Sequence, residues 1–127
     1  MAPLISVIDD DISVRKSLDR LIRSVSLEVR VFASAEEFLN SGHPRKAECL
    51  ISDVCLPGMS GIELHRHLLA SKCEVPVIFI TAHGSDERAR LEAASDWTVA
   101  YFTKPCGDEL LDAVNEALKW NRTTKGS

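Results

Sequence analysis

The stretch Leu4-Ile5-Ser6-Val7-Ile8-Asp9-Asp10-Asp11 runs a short, β-branched apolar segment straight into three carboxylates. Beyond it the period changes. Val14, Leu18, Leu21, Ile22 and Val25 recur at helical spacing, so a strand passes into a helix with only the acidic cluster between them. The alternation repeats downstream. A strand over 27–32 precedes a short helix opened by Ser34, with Glu37 three residues later as a capping box. A strand over 49–54 precedes a helix carrying Ile62, Leu64, Leu68 and Leu69. A strand over 75–81 precedes a weakly periodic helix over 86–94. A strand over 99–102 precedes a last amphipathic helix carrying Leu110, Leu111, Val114, Ala117 and Leu118. Strands apolar on both faces, each followed by a helix, call for a parallel sheet covered on both sides, because every crossover lays a helix across a face. The expected fold is α/β, a doubly wound (βα)5 domain over residues 1–120, with the polar, aperiodic residues 121–127 read as a linker start or a tail.

Composition agrees with one core. The 127 residues are 45 % hydrophobic and 27 % charged with 6 Gly and 5 Pro, which argues against a disordered, collagenous or repeat-built chain. Fifteen Lys and Arg against nineteen Asp and Glu give a net charge of −4, the wrong sign for a domain that grips nucleic acid or an anionic membrane. The longest apolar run, Val75-Pro76-Val77-Ile78-Phe79-Ile80, is far short of the roughly 20 residues of a spanning helix, so no membrane segment is expected. The N-terminus lacks a basic flank and reaches carboxylates within ten residues, unlike a signal peptide, and a cytoplasmic location is expected. Cys49, Cys55, Cys73 and Cys106 lack paired spacing and read as reduced thiols, mostly packing.

In doubly wound sheets, ligands collect outside the carboxyl ends of the strands. Those ends carry Asp9-Asp10-Asp11, Asp53, Thr81 and Lys104-Pro105. Clustered carboxylates repel unless protons or a cation intervene, and an oxygen-only donor set with room for water suits Mg²⁺. After Asp53 the Pro57-Gly58 turn leaves the carboxylate at the crevice rim, where it can act as a nucleophile on phosphorus. An aspartyl phosphate forms with help from neutralised phosphoryl oxygens rather than acid or base chemistry, and Mg²⁺, Lys104 and the Thr81 hydroxyl are the groups for that task. Singly, Thr81 reads as an ordinary strand residue and Lys104 as a surface lysine; their common position at strand ends is what raises them.

The segments Val7-Ile8-Asp9-Asp10-Asp11, Ile51-Ser52-Asp53-Val54-Cys55-Leu56-Pro57-Gly58-Met59-Ser60-Gly61, Ile80-Thr81-Ala82 and Phe102-Thr103-Lys104-Pro105, in that order, resemble the receiver domain of two-component response regulators over about residues 5–119. The resemblance implies a flavodoxin-like fold with strand order 2-1-3-4-5. It implies phosphoryl transfer from a sensor histidine kinase onto Asp53, direct Mg²⁺ ligation by Asp10, help from Asp9 through metal-bound water, and the Cys55 carbonyl as a further ligand. It also implies a switch in which Thr81 is drawn inward and Tyr101 fills the vacated space. That switch would alter the face made by residues 86–94, the last strand and the last helix, and would drive homodimerisation or docking. Catalysis would be confined to the domain's own phosphorylation and dephosphorylation. Within the family, Thr81-Ala82-His83-Gly84 with Lys104-Pro105 looks most like receivers joined to LuxR-type helix-turn-helix outputs, so DNA contact would come through an output domain absent from this chain.

Three positions depart from the family pattern. Residues 94–99 run one residue longer than the usual turn into the last strand, with Trp97 read as a buried plug. Cys106 stands where a phenylalanine is usual, and Cys55 is too small to shield a phosphoryl group. His83 reads as a loop residue; His65 and His67 lie two apart on a helix and cannot share a face, and His43 sits in a polar loop, so no zinc cluster is expected. One rival is a haloacid-dehalogenase-type phosphatase with Asp9 as nucleophile and Asp11, Thr81, Lys104 and Asp108-Glu109 in support. Another is a non-phosphorylated pseudo-receiver acting as a binding module. A flavin-binding flavodoxin is disfavoured, since carboxylates stand where a phosphate cradle needs Gly and hydroxyls.

Overall fold

A computed structural model describes residues 3–42, 46–82 and 93–126, with side chains through Trp120. Five parallel strands, β1 (Leu4–Ile8), β2 (Glu28–Phe32), β3 (Cys49–Asp53), β4 (Val77–Thr81) and β5 (Thr98–Thr103), form one sheet in the order β2-β1-β3-β4-β5. Helices α1 (Ile12–Arg23), α2 (Ala35–Asn40) and α3 (Gly61–Ala70) lie in crossovers between strands, and α4 (Asp108–Gly126) follows the last strand. The expected (βα)5 order is thus present in its five strands and four of its helices, while the helix expected over 86–94, like His43 and His83, lies almost entirely outside the described residues.

Alternation along the buried strands divides the interior in two. Ile5, Val7, Cys49, Ile51, Ile78 and Ile80 face α1 and α4 through Leu18, Ile22, Leu110, Val114 and Ala117. Ile8, Leu50, Val77 and Phe79 face the other way, onto Phe38 of α2 and Ile62, Leu64 and Leu68 of α3. Every residue of β3 and β4 is buried, as a central parallel strand requires, whereas the edge strand β2 exposes Glu28, Arg30 and Val31. Complete burial of a Leu, Ile or Phe side chain is worth roughly 1.5–3 kcal/mol, so these two apolar layers dominate the stability.

The helix starts are set by short polar side chains. Asp11 caps α1 by accepting the Ser13 N–H at 2.8 Å, and Ser60 and Glu63 form a reciprocal capping box on α3. At α2 the box is displaced: Ser34 accepts the Glu37 N–H, but Glu37 Oε2 takes the N–H of Ala33 rather than that of Ser34. Val25, expected on the apolar stripe of the first helix, falls beyond it and is 46 % exposed, because α1 ends at Arg23 and the chain turns through Ser26 at φ +64°. At the other end α4 continues to Gly126, past Trp120, where the sequence reading begins a linker or tail.

The β4–β5 register shifts once, at its start. Val77 pairs with Thr98 but Ile78 pairs with Ala100, so Val99 is bulged, and from there the register runs regularly to Thr81 opposite Thr103. Trp97 is half-buried rather than a plug: its backbone carbonyl accepts the Val77 N–H at 2.9 Å, which binds the chain to the start of β4 and leaves the ring partly outside both cores.

His65 is the titratable group most committed to the core. It is 3 % exposed on α3, donates from Nε2 to the Val75 carbonyl at 3.1 Å and meets Phe79 edge-on at 6.0 Å. Burial pushes its pKa below the ordinary 6.5, against the opposing pull of the Val75 carbonyl. The imidazole is therefore neutral in the fold, and its contribution is complete above the unfolded value and lost as pH falls below it. Urea unfolding should show a lower midpoint at about pH 5.5 than at about pH 7.5, and His65→Leu, which removes the titration, should shrink that difference. An equal pH dependence in the variant would assign the effect elsewhere.

Candidate functional site

Parallel register brings the strand ends together. Ile8 pairs with Ser52, so the next residues, Asp9 just beyond β1 and Asp53 at the end of β3, stand side by side; Asp53 pairs with Ile80, so Thr81 follows one step later. Thr81 pairs with Thr103, and Lys104 comes next. Lys104 N–H donates to the Thr81 carbonyl at 2.8 Å, extending the ladder by one bond before a cis Pro105.

From that position the Lys104 ammonium crosses the crevice. Nζ lies 2.6 Å from Asp9 Oδ2 and 2.7 Å from Asp53 Oδ2. Asp53 Oδ1 accepts the Cys55 N–H at 2.9 Å, and Asp9 Oδ1 accepts the Asp11 N–H at 2.9 Å. Asp53 is not left at an open rim as the turn chemistry suggested: it is 5 % exposed, because the lysine lies over it and the chain after it folds back. Asp9 is wholly buried, while Asp10 and Cys55 are exposed beside it, and Thr81 is 3 % exposed. Tyr101 is half-buried, its ring 6.4 Å from that of Phe79, which it opposes in the β4–β5 register.

Burial raises the Asp9 pKa, with the hydrogen bond from Lys104 pulling the other way. For Lys104, burial acts to lower the pKa, but the hydrogen bonds to Asp53 and Asp9 outweigh it and the net shift is upward. The ammonium is thus retained as the counter-charge of the crevice.

Oxygens of Asp9, Asp10 and Asp53 lie within 4.8 Å of one another, and the Lys104 ammonium contacts two of the three carboxylates, Asp9 and Asp53. Asp9 Oδ2, fully buried, lies against the one Lys104 ammonium that it shares with Asp53 Oδ2. Hard oxygen donors in excess of their local positive charge fit a divalent cation such as Mg²⁺.

Two contacts that shape this crevice carry no sequence signal of their own. Arg15 donates from Nη1 to the Asp9 carbonyl at 2.7 Å, bracing the acidic turn from α1. Gly61 starts α3 so close to β3 that an added Cβ would lie 2.2 Å from the Asp53 carbonyl oxygen, a contact only glycine avoids. Other sequence candidates separate from the crevice. His65 is buried and His67 exposed on opposite sides of α3. Glu109 is engaged by the Gly107 N–H at 3.0 Å at the start of α4, and α1 begins directly after Asp11, so neither the acidic pair nor a flap of the rival phosphatase is assembled around Asp9. Cys49 and Cys73 are buried, Cys106 half-buried and Cys55 exposed; burial pushes the Cys49 and Cys106 thiols up, away from thiolate chemistry. A pocket of about 160 Å³ lies among Val14, Leu18, Ile80, Pro105 and Cys106.

Known proteins carry the same pattern. The family model of the response regulator receiver domain matches residues 5–115. Nodulation protein W of Bradyrhizobium diazoefficiens is 44 % identical over 120 residues, covering 94 % of this chain and 52 % of that protein. The transcriptional regulatory protein FixJ of the same organism is 36 % identical over 113 residues, 89 % of this chain and 55 % of FixJ. The chain spans about half the length of these curated relatives. Among solved structures, the response regulator StyR superposes with a TM-score of 0.85 at 38 % identity, over 99 % of this chain and 64 % of StyR. The strand order, the four strand-end motifs and the length of the family match agree, and the chain belongs to the response-regulator receiver domains of two-component systems.

Proposed function

We propose that Asp53 is the phosphoacceptor of this receiver. The observation that carries the reading is the Asp53 carboxylate, held at Oδ1 by the Cys55 N–H and at Oδ2 by Lys104, among carboxylates suited to a divalent cation. A carboxylate oxygen of Asp53 attacks phosphorus; an O–P bond forms as the N–P bond of a phosphohistidine breaks, and the electron pair leaves with the imidazole nitrogen. Mg²⁺, held by Asp10 and the Cys55 carbonyl with Asp9 acting through its water, would supply charge neutralisation for the phosphoryl oxygens. Lys104 follows the charge from the free carboxylate to the phosphoryl oxygens, and the Thr81 hydroxyl supplies a further donor. Asp9 does not act as nucleophile in this scheme; of the acidic pair that would support it there, Glu109 is engaged by the Gly107 N–H. The same groups would promote loss of the phosphoryl group, the only further chemistry assigned.

A phosphoryl group adds about −1.5 to −2 charge beside Thr81. Movement of Thr81 toward it, followed by the half-buried Tyr101, would repack β5 and α4 and favour homodimerisation or docking by the difference in affinity between two states. A sensor histidine kinase is the donor, and transcription is controlled through a DNA-binding output outside this chain; the shared length with FixJ and its name support this. No helix among the described residues is long and apolar enough to cross a membrane, in keeping with a cytoplasmic location.

With a small phosphodonor and Mg²⁺, one acid-labile phosphate should map to Asp53 by mass, and Asp53→Asn should abolish it while the Tm is kept. Label at Asp9 would favour the phosphatase reading. Asp10→Asn, which removes a charged ligand, should weaken Mg²⁺ binding by more than the roughly tenfold typical of losing an outer partner, measured by titration calorimetry. Unchanged affinity would remove Asp10 from the ligand set. Beryllofluoride with Mg²⁺ should shift the sedimentation profile and the amide exchange of β5 and α4; if neither changes with Asp53 occupied, the switch does not operate.

A further inference from the structure

The loop that follows Asp53 is tied at its far end by a side chain from another part of the fold. Glu36, exposed in the first turn of α2, accepts the Met59 N–H at Oε2 over 3.0 Å, across 23 residues of sequence. The same oxygen lies 2.8 Å from where a Cβ on Gly58 would stand. Gly58 has φ +74°, a conformation that leaves the turn to glycine, and its missing side chain makes room for the carboxylate. Among the described residues this loop is also tied by Val54 N–H to the Ile80 carbonyl and Cys55 N–H to Asp53 Oδ1 at one end, and by the Ser60/Glu63 capping box with Gly61 N–H to the Val54 carbonyl at the other.

Glu36 is mounted on a fixed post. Its neighbours Ala35 and Phe38 are fully buried, Phe38 meets Phe32 edge-on at 5.2 Å, and the Phe32 carbonyl accepts the N–H of Asp9. The base of α2 is thereby linked to the acidic turn of β1, and its exposed carboxylate reaches the loop of β3. Backbone N–H groups of Met59 and of Glu36 itself hold the carboxyl below its ordinary range, so it is an ionised acceptor at neutral pH.

We propose that Glu36 is a positioning residue for the phosphoacceptor loop: by holding Met59 it sets the path of residues 55–60 and with it the Cys55 backbone beside Asp53. This rests on the assignment of Asp53 and of the Cys55 carbonyl made above. An exposed carboxylate contributes little to stability, so its loss acts on the geometry of the loop rather than on the fold.

The test uses the whole chain with Glu36→Ala and Glu36→Gln, reading three quantities: amide exchange at Met59, Mg²⁺ affinity by titration calorimetry, and the rate of Asp53 labelling by acetyl phosphate. Glu36→Ala should speed exchange at Met59 and weaken Mg²⁺ binding by about tenfold, the loss expected when a partner behind a metal ligand is removed. Labelling at fixed Mg²⁺ should slow in step, with Tm unchanged. Glu36→Gln keeps a carbonyl oxygen for Met59 and should stay near wild type in all three. Wild-type Mg²⁺ affinity and labelling in Glu36→Ala, with Met59 exchange either faster or unchanged, would overturn the inference. A wild-type chain that neither binds Mg²⁺ nor labels at Asp53 would overturn the proposed function itself, and that result is read before any variant is made.

Discussion

A single ammonium, that of Lys104, lies between the carboxylates of Asp9 and Asp53 at 2.6 and 2.7 Å. Without it the strand ends would bring buried negative charges together with little to offset their repulsion, and desolvation already pushes the Asp9 pKa upward. The lysine reaches them because the β4–β5 register delivers it one residue beyond Thr103, and that register survives the extra residue at Val99 through a bulge at the far end of the strand. Errors of spacing are thus confined to the amino-terminal edge of β5, and the chemistry sits at the other.

The two apolar layers serve the crevice as well as the stability. Alternate residues of β1, β3 and β4 are buried on both faces, so a strand cannot slide by one position without exchanging its whole set of contacts. Asp9 and Asp53 are therefore as firmly aligned as the core beneath them. Around this rigid base lie short polar ties: Arg15 on the Asp9 carbonyl, Cys55 N–H on Asp53, and Glu36 on Met59. The base fixes where the carboxylates stand, and the ties fix the loops through which a cation and a phosphoryl donor must approach.

Much of this was legible without coordinates. Apolar runs followed by helical periodicity gave five parallel strands, and strand ends gave Asp9, Asp10, Asp53, Thr81 and Lys104, because parallel βα topology sends every strand's carboxyl end to one edge. Local capping chemistry at Ser34 marked a helix start for the same reason: the interaction spans three residues and is written in the chain itself. The signal weakened where an outcome depended on surroundings. Val25 continued a helical stripe in the sequence, yet the helix ends before it, and Trp97, read as a buried plug, is only half-buried.

The burial of Asp53 beneath Lys104, the close seat of Gly61 on its carbonyl and the reach of Glu36 to Met59 belong to the folded chain alone. Periodicity, turn chemistry and motif order act over a few residues and determine elements, their sequence and the edge of the sheet that bears the chemistry. Contacts between residues separated by 51 positions, as Lys104 and Asp53 are, or by 23, as Glu36 and Met59 are, arise only when packed strands and helices set distances to within a hydrogen bond. No local pattern encodes those distances, because they are fixed by the thickness and register of the layers between.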